Sequence, residues 1–120
     1  MSIFSENLQL KELKVNKKVE IYNTLYEKLD YLSSEVYDAS INKLINIAIE
    51  NLISTEEIKP FEKASGDIAS AHCLQFRLSL YKGLEELKDR YGISIYRLIN
   101  LAIKNALDSE DKNKNVNLKD

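Results

Sequence analysis

Ser40 to Ile53 reads SINKLINIAIENLI, and 54 residues further on the chain writes nearly the same segment again, SIYRLINLAIKNAL from Ser94 to Leu107. Ser, Ile, Leu, Ile, Asn, Ala, Ile and Asn recur at matching places, and Lys43 falls on Arg97. Apolar residues stand at Ile41, Leu44, Ile45, Ala48, Ile49 and Leu52, and again at Ile95, Leu98, Ile99, Ala102 and Ile103. That spacing predicts a helix with a wide buried stripe. Ser40 and Ser94 stand where each helix needs an N-cap, without the Glu that would complete a capping box.

The likeness continues outward. LYEKLDYL (Leu25 to Leu32) lies over LYKGLEEL (Leu80 to Leu87) at an offset of 55, so the first copy carries one extra residue before its second helix. Leu25, Leu29, Leu32 and Val36, like Leu80, Leu84, Leu87 and Tyr91, follow one helical stripe. Gly92 suits the left-handed position that ends a helix. Further upstream KKVEIYN (Lys17 to Asn23) lies over HCLQFRL (His72 to Leu78), and here the apolar residues alternate: Val19 and Ile21, then Leu74, Phe76 and Leu78. A period of two predicts short strands with one buried face. A lone strand leaves its backbone groups unpaired, so the two are expected to pair as an antiparallel ribbon.

Three blocks in one order, written twice, make an internal duplication. The expected organisation is an N-terminal arm over 1–15, a first copy over 16–53, a connector over 54–71, a second copy over 72–107 and a disordered tail over 108–120. Both copies are expected in one compact domain, mainly α with a two-stranded antiparallel ribbon.

Composition narrows the function classes. Three glycines and one proline in 120 residues argue against a turn-rich β protein. The longest apolar runs are far too short to span a bilayer, and the start lacks the layout of a secretory signal. A single cysteine leaves no internal disulfide, which suits a reducing cytoplasm. His72 and Cys73 are the sole members of their kinds, and as strand neighbours they face opposite ways, unlike a nucleophile and its base. Neither a zinc set nor a Gly-rich phosphate loop can be assembled. The expectation is a protein that is not an enzyme and needs no cofactor or metal. The tyrosines fall mostly on helical stripes and read as core edges.

Strand, helix, turn, helix, built twice, resembles the ribbon-helix-helix family of DNA-binding proteins (the Arc and MetJ type), with both halves of the usual homodimer fused into a single-chain pseudo-dimer. YDASINKLINIAIENLI and YGISIYRLINLAIKNAL carry most of that resemblance. It implies that the ribbon enters the major groove of double-stranded DNA and reads base edges with its exposed face. On this sequence those residues would be Lys18, Glu20 and Tyr22 with Cys73, Gln75 and Arg77; a shift of one pair would put Asn16 and Ala71 in place of Tyr22 and Arg77. Gln75 suits adenine, and Arg77 or Lys18 suits guanine. The resemblance also implies phosphate contacts at the start of each second helix, from Ser40 and Lys43 and from Ser94 and Arg97.

Three features depart from it. The net charge is −2, where nucleic-acid binders usually carry a basic surplus. Glu20 is poor company for phosphates, although it could accept from a cytosine amino group, and the two strands differ at every exposed place, so a bound site would not be a true palindrome. The expected role is a transcriptional regulator, such as a repressor, or an accessory DNA-binding factor of a plasmid or virus. The alternative is a protein-interaction module, an antitoxin or assembly adaptor, on the same scaffold. The arm, with Ile3, Phe4, Leu8, Leu10 and Leu13, is left to cover the helices, extend the ribbon or meet a protein partner. Self-association along DNA stays open.

Overall fold

Alternating side chains form two strands, β1 (Lys14–Tyr22) and β2 (Ala69–Arg77), which pair antiparallel along their whole length. The computed structural model describes residues 13–59 and 61–119, with side chains as far as 111. The first twelve residues of the expected arm lie outside that range. Each strand runs directly into a helix: β1 into α1 (Asn23–Tyr31), which continues as a π-helical turn over Leu32–Val36, and β2 into α3 (Leu78–Tyr91). Second helices follow, α2 (Ile41–Thr55) and α4 (Ile95–Lys119). The order is β-α-α, twice.

The register places Lys18 opposite Cys73, the two residues that the duplication equates. A pseudo-two-fold axis therefore passes through this pair. Val19, Ile21, Leu74 and Phe76 turn inward from the ribbon and are buried. Beneath them α2 packs against α4, with Ile45, Ile49, Leu98, Ile99 and Ile103 fully buried. Burial of such a side chain stabilises the fold by about 1.5–3 kcal/mol.

The two copies are intertwined through equivalent contacts. Asn46 of the first copy reaches β2: its Oδ1 accepts from the Arg77 N–H at 3.0 Å and its Nδ2 donates to the Gln75 carbonyl at 2.9 Å. Asn100 of the second copy reaches β1 in the same way, accepting from the Tyr22 N–H at 3.0 Å and donating to the Glu20 carbonyl at 3.0 Å. A two-stranded ribbon has two open edges whose backbone groups need partners, and these amides supply them. Each copy thus holds the other copy's strand. The same exchange recurs in the Tyr37 hydroxyl on Glu110 and the Tyr91 hydroxyl on Glu56. It recurs again where His72 stacks on Tyr26 at 3.8 Å and Lys17 lies 5.2 Å from the centre of the Tyr81 ring. The repeat therefore extends past Leu107 to Glu110.

The extra residue of the first copy is accommodated where α1 gives way to the π-helical turn, the form that one inserted residue takes within a helix. α3 needs no such turn and ends at Gly92 with φ 69°. Its counterpart turn places Asp38 at φ 49°. Ser40 and Ser94 are N-caps, accepting from the backbone N–H of Lys43 and Arg97.

Several boundaries differ from expectation. The strands begin at Lys14 and Ala69 rather than at 16 and 72, which shortens the connector to 56–68. Leu78 opens α3 instead of extending β2. Val36 and Tyr91, placed on the buried stripes, are exposed. The tail expected to be disordered is helical through Lys119. No glycine or proline interrupts the run from Ile95, and Lys104 pairs with Asp108 one turn on, so nothing in the chain ends the helix where the buried stripe ends.

Candidate nucleic-acid interface

The outer face of the ribbon is open. Lys14, Asn16, Lys18 and Glu20 on β1 and Ala71, Cys73 and Gln75 on β2 are all exposed. Across the ribbon Lys14 stands opposite Arg77, Asn16 opposite Gln75, Lys18 opposite Cys73 and Glu20 opposite Ala71. Asn16 and Ala71, held in reserve by the alternative register, belong to this face.

Tyr22 does not. It was expected to point outward by strand parity, but it is only 9% exposed. At the last residue of β1 the chain is already turning into α1, with Tyr22 as its N-cap. Its ring is enclosed by Phe61 of the connector and Tyr96 of α4, each with its centroid 5.9 Å away. Arg77, its equivalent in β2, is half-buried, and its guanidinium is engaged by the Glu50 carboxylate of α2.

The expected phosphate-contacting residues flank the ribbon at its two ends. At one end Ser40 and Lys43 open α2 and share an open groove of about 480 Å³ with Lys14, Asn42, Gln75 and Arg77. At the other, Arg97 in the first turn of α4 lines a groove of about 590 Å³ with Tyr22, Phe61, Glu62 and Leu101. A helix start offers unsatisfied N–H groups and the positive end of the dipole, both favourable to an anion. At the first end the helix start is joined by Lys14 and Lys43.

Asn42, Asn46 and Asn100 are the positioning residues that sequence reasoning overlooked. Asn42 adds a bond of 3.3 Å from the Gln75 N–H to its Oδ1. Together with Asn46 it fixes the backbone on both sides of Gln75, and so the direction in which that side chain leaves the ribbon. For Asn46 and Asn100 the available signal was an asparagine written at the same place in both copies, amid Leu, Ile and Ala on the helix's apolar side; Asn42, whose equivalent is Tyr96, carried no such signal.

Burial, followed by the Tyr22 hydrogen bond and the nearby Tyr22 and Glu20 charges, pushes the Tyr96 hydroxyl up to about 12. The neutral phenol is the form that the fold favours. Its contribution to stability is complete below the ordinary value of 10.0 and is lost as pH rises through about 12. Urea titrations on either side of that window should show wild type losing more stability than Tyr96→Phe; equal losses would detach Tyr96 from the alkaline transition.

Among the described residues no group of three or more His, Cys, Asp or Glu is placed to hold a metal ion, and no helix is long and apolar enough to cross a membrane. His72 and Cys73 lie on opposite faces of β2, the imidazole on Tyr26 and the thiol outside. No protein-family model matches the chain, and neither a curated protein nor a solved structure matches it.

Proposed function

We propose that the chain is a tandem ribbon-helix-helix protein that binds double-stranded DNA by laying the β1–β2 ribbon in the major groove. The observation that carries this reading is the open outer face, on which Lys14, Asn16, Lys18 and Gln75 stand exposed, Lys14 and Gln75 beside the start of α2. A two-stranded ribbon is about as wide as the major groove admits, and amide and cationic side chains match the hydrogen-bonding edges of bases. Lys43 and the N–H groups around Ser40 would then meet the phosphate backbone, which positions the ribbon without reading sequence. The role that follows is regulation of transcription, or an accessory function on DNA, in the cytoplasm.

Selection from random duplexes at two salt concentrations tests the reading. Enrichment of a sequence, with affinity falling as salt rises, is the expected result. Gln75→Ala should cost about 1–3 kcal/mol and relax one base preference. An unchanged motif and affinity would remove Gln75 from the site.

A second reading, a protein-interaction module, is favoured by a different observation. Tyr31, Val36 and Tyr37 are exposed beside Leu107 along one groove on the helical side. Absence of any enriched duplex would favour this role over DNA.

A further inference from the structure

The pseudo-two-fold axis through Lys18 and Cys73 invites a comparison of the two halves of the outer face. On one side stand Lys14, Asn16, Gln75 and Arg77; the residues that the duplication sets opposite them are Ala69, Ala71, Glu20 and Tyr22. One half therefore presents Lys14 and two amides, with Arg77 at its edge engaged by Glu50. The other presents two alanines, a carboxylate and a buried phenol.

The flanks differ in how far the connector covers them, not in charge: Glu50 stands on the first side, and its equivalent on the other is Lys104. Ile47 of α2 is 53% exposed, whereas its equivalent Leu101 of α4 is 4% exposed. Ile58 and Phe61 of the connector pack against the core at the Leu101 end, and Lys59 and Glu62 add one charge of each sign to the groove that Arg97 lines. At the Ile47 end the groove is lined by Lys14 and Lys43, and no connector residue is among its lining.

Resting on the DNA-binding reading, we propose that this protein engages DNA one-sidedly: a single half of the ribbon, carried by Lys14, Asn16 and Gln75 with Lys43 at its flank, makes the specific contacts. The half around Glu20 does not read bases. An acid and two alanines offer no cationic or amide donor to the acceptor-rich edge of a purine, and although a carboxylate can accept from a cytosine amino group, one brought close to phosphate is repelled. The target is then one short, directional element, contacted on one side of the axis, instead of two half-sites. This goes beyond a departure from palindromy, since two unequal half-sites would also lack symmetry.

Pseudo-equivalent pairs in the full-length chain test the proposal. Gln75→Ala and Lys43→Ala are each expected to weaken binding to the selected duplex about tenfold, the scale of one lost base or phosphate contact. Glu20→Ala and Arg97→Ala should leave affinity within about twofold, on the scale of an uncontacted surface position, and a hydroxyl-radical footprint should protect DNA on one side of the element's centre. All four side chains lie on the surface or its edge, and thermal melts establish that each variant is folded. A two-sided footprint, or equal losses within each pair, would overturn one-sidedness while leaving DNA binding intact. Failure to enrich any duplex would overturn the DNA-binding reading and this proposal with it.

Discussion

Replacing Asn100 by alanine is expected to destabilise the fold by about 3 kcal/mol, the scale set by orphaning one buried and one half-buried backbone group at about 1–3 kcal/mol each. The side chain is fully buried, and its amide bonds the Tyr22 N–H, the Glu20 carbonyl and the Tyr96 carbonyl. The Tyr96 carbonyl lies within a helix and has the backbone of the next turn to bond. The two groups of β1 lie on an open ribbon edge and have no second strand to turn to. Asn100→Leu should fare no better, because it refills the volume without replacing the bonds. Asn100→Asp keeps the acceptor, loses the donor and sets a carboxylate against a carbonyl, so it should be destabilised as well. Asn46→Ala, at the equivalent but half-buried place, should lose only about 1 kcal/mol, since water can reach the freed groups. Urea midpoints at constant slope give the comparison. If Asn100→Ala stayed within about 0.5 kcal/mol of wild type, as an ordinary surface substitution does, the strand would not depend on this amide.

Phe76→Ala should be the more severe lesion, at about 3–5 kcal/mol, the cost of lost apolar transfer plus an unfilled cavity. Phe76 is fully buried on the ribbon's inner face near the end of β2, with the Tyr81 ring 5.7 Å away. Its equivalent is Ile21, also fully buried. One side of the axis thus carries the larger side chain, and the helices beneath are fitted to that inequality. Phe76→Leu should be tolerated at about 1 kcal/mol, near the range of volume-conserving swaps. With a domain's whole stability at about 5–15 kcal/mol, Phe76→Ala leaves little in reserve. Thermal unfolding of the three proteins measures it, and a loss below about 1 kcal/mol for the alanine variant would mean that the core closes over the gap.

How much of this was legible in the residues can be followed place by place. Both second helices and their serine caps follow from the opening repeat, because period and capping are local properties. Strand parity follows from Val19, Ile21, Leu74 and Phe76 for the same reason. Tyr22 breaks the parity because its surroundings come from Phe61 and Tyr96, distant in the chain, and periodicity carries no information about them. The register became definite only with the contacts, where Lys18 meets Cys73. The tail misled for a different reason: polar composition says that a segment has little to bury, but a helix started by buried residues can run on without burial of its own. Asn46 and Asn100 were visible as repeated letters. Their partners, the backbone edges of each other's strands, could not be found without three dimensions.

The exchange of strands between the copies also has a consequence for synthesis. β1 emerges from the ribosome early, yet its partner strand follows only after the connector, and the amide that closes its free edge lies 80 residues beyond Glu20. Until then the first half of the nascent chain holds a strand with two unsatisfied edges and an apolar inner face, which is a template for association with other chains. Folding is therefore expected to wait for nearly the whole chain, and its rate to reflect these long closures more than the ease of forming each helix. A ribosome stalled within the connector should expose a protease-sensitive first half, and release of the complete chain should make it resistant.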